Sequence, residues 1–419
     1  MSKANYPIVG LVFLIFFVIS LLTNILGPLI PDIIRSFSLS LGLAGFLPFS
    51  FFVAYGVMSI PSGMLVERYR AKAVIAAAFG VAFAGSLAFA LLPRFGVGLA
   101  SLFLIGIGMA MLQVAINPLL RVAGGEQHFA FNSVMAQLVF GLASFISPQI
   151  YSYLVGRLSG GSVGGGALVA TLARIVPAEL PWVSLYWVFA ATTLLMCAVV
   201  LAVRLPRVEL KEEERAGAWA THAALLEDRM VLLYALGIFC YVGFEQGTAN
   251  WISQFLHTYH GMDPQTAGAD AVSWFWGLMT AGCLLGLLLL KLMDSRKVLI
   301  GAASLAIVTL GFALFGSAPV ARVAFPALGF CASVMWSIIF SLALNSVDKH
   351  HGSFSGILCT AITGGAVVPL VVGWLGDLFG LRQGMLFLYL TLGYILGIGF
   401  WARPLINNAT LSFKTKEAA

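Results

Sequence analysis

Charge is scarce in this chain: 10% of its 419 residues are Asp, Glu, Lys or Arg, against 60% hydrophobic residues. A soluble domain carries about 25% charged residues, so with a mean hydropathy of +0.98 a water-soluble globule is excluded and an integral membrane protein is expected. Cysteine is sparse too. Cys197, Cys240, Cys283, Cys331 and Cys359 all fall in apolar runs without paired or metal-ligand spacing, which leaves no disulfide framework and no zinc site. The glycine-rich "GGSVGGG" at 160–166 lacks the Lys-Ser/Thr of a phosphate loop and reads as a flexible linker, so ATP-driven pumping has no support. The "GD" at Gly376 and Asp377 has no second intramembrane aspartate for a protease dyad, and no nucleophile, base and orienter stand together. An enzyme is not expected.

What fills the chain is apolar sequence. A helix needs roughly 20 apolar residues to cross the hydrocarbon, and about twelve such segments follow one another, at 8–34, 42–66, 72–92, 96–120, 130–157, 183–204, 230–259, 265–292, 297–316, 320–347, 352–376 and 383–404. Short connections make neighbours antiparallel. The first segment follows only Lys3 and is too long for a signal-peptide core, so it is expected to stay as helix 1. The longest charged stretch, "RLPRVELKEEERAGAWATHAALLEDR" at 204–229, reads as a solvated connector. It divides the chain into a six-helix bundle at 1–204, a cytoplasmic linker at 205–229, a second six-helix bundle at 230–404 and a cytoplasmic tail at 405–419. The expected fold is an all-α membrane protein of twelve transmembrane helices in two pseudo-symmetric bundles.

The net charge of +6 is a matter of topology, not of nucleic acid. With both termini inside, Lys3, Arg68, Arg70, Lys72, Arg121, Arg204, Arg207, Lys211, Arg215, Arg229, Lys291, Arg296, Lys297, Lys349, Arg403, Lys414 and Lys416 fall on the cytoplasmic side. Arg35, Arg94, Arg157, Arg174, Arg322 and Arg382 fall opposite, an asymmetry in the sense of the positive-inside rule.

The halves echo each other. "GMLVERYRAKAV" follows segment 2 and "GLLLLKLMDSRKVL" follows segment 8, while Asn117 and Asn345 end like stretches of segments 4 and 10. The same offset sets Asn24 opposite Asn250 or a near neighbour. Repeats of this sort mark secondary transporters, with substrate at the midplane between them. Twelve helices, a central connector and a degenerate charged motif after helices 2 and 8 resemble the major facilitator superfamily.

Sixteen of the acidic residues are placed at helix ends, in loops or in tails, and Glu245 alone falls near the middle of a segment, in "CYVGFEQGTANWISQFL" at 240–256. An acidic side chain at the centre of a spanning helix costs at least about 2.5 kcal/mol, and no Lys, Arg or His lies at that depth to offset it. Glu245 must therefore be protonated, bound to a cation or facing water. A carboxyl without a counter-charge can carry a proton. Alternatively Asn24, Gln246 and Thr248 could complete an oxygen shell around sodium, the one case in which Glu245 is a metal ligand. Asn24 and Thr248 are thus candidate partners of Glu245 in cation coupling. No other cofactor is expected. A buried structural carboxylate is the plain alternative. The missing interior cations argue against an anionic substrate.

Gln246, Asn250 and Gln254 recur every four residues and share a helix face. Gln113 and Asn117 do the same, as do Ser133, Gln137 and Gly141, and Ser333, Ser337, Ser341 and Asn345. In lipid such stripes face inward, either as interhelical hydrogen-bond glue or as a binding surface. With Trp251, Trp274, Trp276 and Trp336 they suit a polyol, whose hydroxyls meet amides and whose C–H face meets an indole; each Trp also reads as packing or an interface anchor. Gly27, Pro28 and Pro31 in segment 1, and Gly243 and Gly247 in segment 7, permit kinks.

Together these stretches resemble the fucose, galactose and glucose symporters of the superfamily. The likeness rests on "LLTNILGPLIP", "LQVAINPLL", "AQLVFGLASFISP", "YVGFE", "FWGLMTAG", "IFSLAL" and "SGILCTAITGGAVVPLVVGWLGD". It implies an inner-membrane symporter of a neutral hexose such as glucose or galactose, driven by sodium or protons and acting as a monomer in lipid, with Glu245 as coupling residue. The implied sugar contacts are Asn24, Gln113, Asn117, Gln137, Gln246, Asn250, Trp251, Trp276, Trp336 and Asn345. Fucose-type members carry acids where Asn24 and Gln113 stand, so the glucose and galactose branch is nearer. Phe140, Cys283 and the pair Trp336 and Ser337 depart from the family pattern, replacing an Asn, an Arg and a Phe-Pro. A proton-coupled efflux antiporter of the same fold and a non-transporting sugar sensor are the rival readings.

Overall fold

A computed structural model of the chain describes residues 5–160, 166–206, 219–347 and 350–405. Among these there is no β-strand. Twelve helices are long and apolar enough to cross a membrane: α1 Tyr6–Phe37, α2 Leu41–Arg68, α3 Ala71–Leu91, α4 Phe95–Gly124, α5 Phe131–Ser159, α6 Pro181–Ala202, α7 Arg229–Ala249, α8 Pro264–Leu292, α9 Ser295–Phe315, α10 Ala318–Leu344, α11 Gly352–Phe379 and α12 Leu381–Trp401. They match the twelve segments read from the sequence. Beyond α7 the chain continues as a helix at Ile252–His260. Two short helices, Gly166–Ile175 and Trp219–Leu226, precede α6 and α7. Most of the glycine-rich stretch (161–165), the core of the charged connector (207–218) and all but the first residue of the expected tail (406–419) lie outside the described residues.

Small residues let the helices of each bundle approach closely. Gly106 of α4 lies against the carbonyl of Phe51 in α2, and a Cβ on Gly108 would come 2.7 Å from the carbonyl oxygen of Ala78 in α3. The bundles meet along two pairs, α2 with α11 and α5 with α8. In the second pair Ser273 donates to the Phe145 carbonyl at 2.9 Å and Gln149 donates to Ser273 at 3.1 Å. The loop after α8 is braced locally: Arg296 grips Asp294 at 3.1–3.2 Å and holds its carboxyl below the usual range.

Helix breaks interrupt α11 at Ala361–Thr363 and α12 between Met385 and Leu388, and three more bear on the site. In α1 regular helix ends at Thr23 and restarts at Leu26. Pro28 has no N–H to give the carbonyl four residues back, which belongs to Asn24, and its ring crowds that carbonyl. The corresponding break after α7, at Asn250 and Trp251, has no proline. There the Asn250 side chain donates to the Gln246 carbonyl at 2.9 Å, occupying an acceptor of the helix ladder. The breaks at Asn24 and Asn250 fall at equivalent places in the two halves, as the repeat suggested. The third lies in α10 at Ser333 and Val334, where Ser333 donates back to the Phe330 carbonyl at 2.7 Å.

The two halves touch firmly at one end. The second part of α1 packs on Ile252–His260 and on the start of α8, and Gly27 abuts the backbone carbonyl of Ala249. At the other end polar side chains within the spans are exposed: Asn117 on α4, Gln137 on α5, and Ser337 and Ser341 on α10. Since such groups are costly against lipid, they line an aqueous cavity between the halves. The molecule is sealed where α1 meets α2 and open where α2 meets α3.

Candidate functional site

Glu245 sits near the end of α7, at the middle of the longer span that α7 forms with Ile252–His260, half-buried between the sealed end and the open cavity. The Tyr241 hydroxyl, one turn earlier on the same face, donates to its Oε1 at 3.3 Å, and the Gln246 side chain also lies within hydrogen-bond reach. Cys283 of α8 stands close enough to interact electrostatically with it. No salt bridge reaches Glu245 among the described residues. Beside Tyr241 lies Trp336 of α10, ring centroids 6.0 Å apart, and Trp336 stacks on Phe340 at 5.7 Å. A carboxylate thus adjoins an aromatic wall at the inner end of the cavity.

Around this centre the amides divide into two groups. Asn117 and Gln137 are exposed, and Gln113 and Asn345 are half-buried. Asn117 donates to the Gln113 carbonyl at 3.2 Å, and Asn345 lies 3.4 Å from the Ser341 hydroxyl. These four remain accessible from the open end. The others are engaged in packing. Asn24 is buried and donates to Ser144 at 2.8 Å, while Ser144 shares a 2.6 Å bond with Ser20, tying α1 to α5. Gln246 and Asn250 bond to each other at the break after α7.

Thr248 is fully buried and its hydroxyl has no hydrogen-bond partner among the described residues. No hydrogen bond joins Asn24 or Thr248 to Glu245 among the described residues. Trp251 is also wholly buried, donating its indole N–H to the Pro369 carbonyl at 3.1 Å. Its ring packs on α11 and offers no free face to a sugar here. Trp276 is 4% exposed with its N–H unpartnered among the described residues, whereas Trp274 is exposed and meets Phe145 edge-on.

One acidic residue was misplaced by sequence reading. Asp32, assigned to a helix end, lies inside α1 and is 4% exposed. The helix runs on to Phe37, and Tyr151 and Gln265 cover the carboxylate from α5 and α8. Tyr241 was also missed, although its position four residues before Glu245 is a readable signal.

The Major Facilitator Superfamily profile matches residues 12–369. The chain belongs to the major facilitator superfamily. A Brucella abortus protein named glucose/galactose transporter is 30% identical over 387 residues, covering 91% of this chain and 90% of its own. The L-fucose-proton symporter of Escherichia coli is 26% identical over 389 residues, covering 87% and 86%. Among solved structures, a bacterial homolog of the human lysosomal transporter Spinster, inward-facing and occupied, superposes with a TM-score of 0.77 at 16% identity, covering 96% of this chain and 97% of that one. The fold is the facilitator fold, the protein is a multi-pass membrane transporter and not an enzyme, and its resemblance to the glucose and galactose branch is borne out.

Cys283 offers a direct check on which side chains face the cavity. It is exposed, and its thiol donates to the Ser333 carbonyl at 3.3 Å, which turns it toward α10, the helix that carries the exposed Ser337 and Ser341. A small methanethiosulfonate reagent is expected to modify it and reduce transport several-fold. Cys283→Ser should be insensitive, as measured by uptake before and after treatment.

Proposed function

We propose that the protein is a cation-coupled symporter of a neutral hexose such as glucose or galactose, working by alternating access. The observation that carries this reading is the Glu245 carboxylate, without a salt bridge among the described residues, at the inner end of a cavity bounded by accessible amides and the Trp336 and Phe340 rings. Amides can donate to and accept from sugar hydroxyls, an indole face suits a sugar's C–H face, and the name of the Brucella relative agrees.

The geometry favours a proton over sodium. A hard metal cation needs several oxygen ligands, whereas among the described residues the hydrogen-bonding neighbours of Glu245 are the Tyr241 hydroxyl and the Gln246 side chain. A proton needs one carboxylate oxygen. The basic residues Arg68, Arg70, Lys72, Arg121, Arg204, Arg229, Lys291, Arg296, Lys297 and Arg403 belong to the open end, which supports an inner-membrane protein with both termini and the open cavity facing the cytoplasm.

The test is uptake of radiolabelled glucose, galactose and fucose into proteoliposomes, with a pH gradient and a sodium gradient imposed separately. Accumulation of glucose or galactose driven by the pH gradient alone is the expected result. Accumulation under sodium alone would reassign the ion. Flat uptake under both, with export of aromatic cations instead, would replace symport by efflux.

A further inference from the structure

Two carboxylates at the sealed end, one from each half, reach across the boundary between the bundles. Asp32 of α1 accepts from the Tyr151 hydroxyl in its own half at 2.5 Å, and both its oxygens stand 3.2 Å from the Gln265 amide nitrogen at the start of α8. Arg35 lies 3.8 Å away on the exposed side. Asp377 of α11 accepts from the backbone N–H groups of Leu41 and Gly42, each at 2.8 Å. Those N–H groups belong to the first turn of α2 in the other half, where a helix has no internal partners for them and favours negative charge. Ser40 caps only the next one, Leu43. The cap of α2 is therefore completed by a residue of the opposite bundle.

Both contacts must break together when the halves part at this end. Asp32 would keep Tyr151 and Arg35, but Gln265 and the first turn of α2 would each lose a carboxylate acceptor. We infer that Asp32 with Gln265, and Asp377 with the N-terminus of α2, are positioning residues of the transport cycle: paired latches that hold this end shut and set how often it opens. The inference rests on the alternating-access part of the reading above and on neither the sugar nor the ion. It is read by distance, without either, so it stands or falls separately from the uptake assay.

The experiment places spin labels on Ala178→Cys and Ser317→Cys in the full chain with its native cysteines replaced. Both sites are exposed at the sealed end, one in each half. Gln265→Ala is expected to raise the population with the labels far apart by about tenfold, the scale of one lost charge-assisted hydrogen bond, and Asp377→Ala, which frees two N–H groups, by at least as much. Gln265→Lys puts a cation against Asp32 and is expected to lower that population. Neither position lies in the packed core, so the variants should remain folded, which a monodisperse elution profile checks. Unchanged distances in both alanine variants, or a lysine variant that opens the seal as alanine does, would overturn the inference.

Discussion

Glu245→Gln is expected to reduce sugar accumulation to the equilibrium ratio while leaving exchange of sugar down its own gradient. The substitution keeps shape and hydrogen-bonding capacity: an amide oxygen can still accept from Tyr241, 3.3 Å away in the native protein. On the symport proposed above, what it removes is the ability to bind and release a cation. With no salt bridge to Glu245 among the described residues, no neighbouring ion pair would mask that change. Coupling needs a ligand that favours one conformation only together with its partner, so a site permanently neutral should let the loaded carrier cross without a proton. Tyr241→Phe is the smaller perturbation. It deletes one hydrogen bond, worth about 1 kcal/mol, and should alter apparent proton affinity about fivefold without uncoupling. Counterflow and gradient-driven uptake in the same proteoliposomes separate the two effects. A Glu245→Gln protein that still concentrates sugar would remove Glu245 from the coupling step.

How far the sequence led can be judged residue by residue. The depth of Glu245 was legible because depth and the absence of nearby cations are both properties of one stretch of sequence. The break in α1 was legible because Pro28 names the carbonyl it cannot serve. The break after α7 and that in α10 carry no proline, and depend on whether Asn250 and Ser333 turn their side chains back on the helix. Spacing alone does not decide that. Asp32 was misplaced for a related reason. Its distance from the loop suggested water, whereas its surroundings come from Tyr151 and Gln265, more than a hundred residues away. The polar stripes were found, but not how they divide. Asn24 is engaged by Ser144 and Trp251 by Pro369, leaving Gln113, Asn117, Gln137 and Asn345 accessible.

Gly27→Ala is expected to shift the protein away from the sealed state and to slow transport at least about fivefold. The Cβ it adds would fall on the backbone carbonyl oxygen of Ala249, with the carbonyl carbon 3.3 Å off and a Val272 methyl 3.5 Å off. A side chain could rotate out of the way, but a carbonyl at the end of α7 moves only if the helix does. Overpacking of this kind costs about 1–3 kcal/mol, a shift of roughly five- to hundredfold in a two-state balance. The contact lies between the bundles, so the cost falls on closure and not on the fold of either half. Gly106→Ala is the contrasting case. Gly106 meets the Phe51 carbonyl inside the first bundle, and its substitution should lower thermal stability without favouring either conformation. Label distances between positions 178 and 317, read beside melting temperature, distinguish the two. If Gly27→Ala lowers the melting temperature as Gly106→Ala does and leaves the distances unchanged, the close approach of α1 to α7 is ordinary packing. If the labels move apart at an unchanged melting temperature, the absent side chain at position 27 is what allows this end to close.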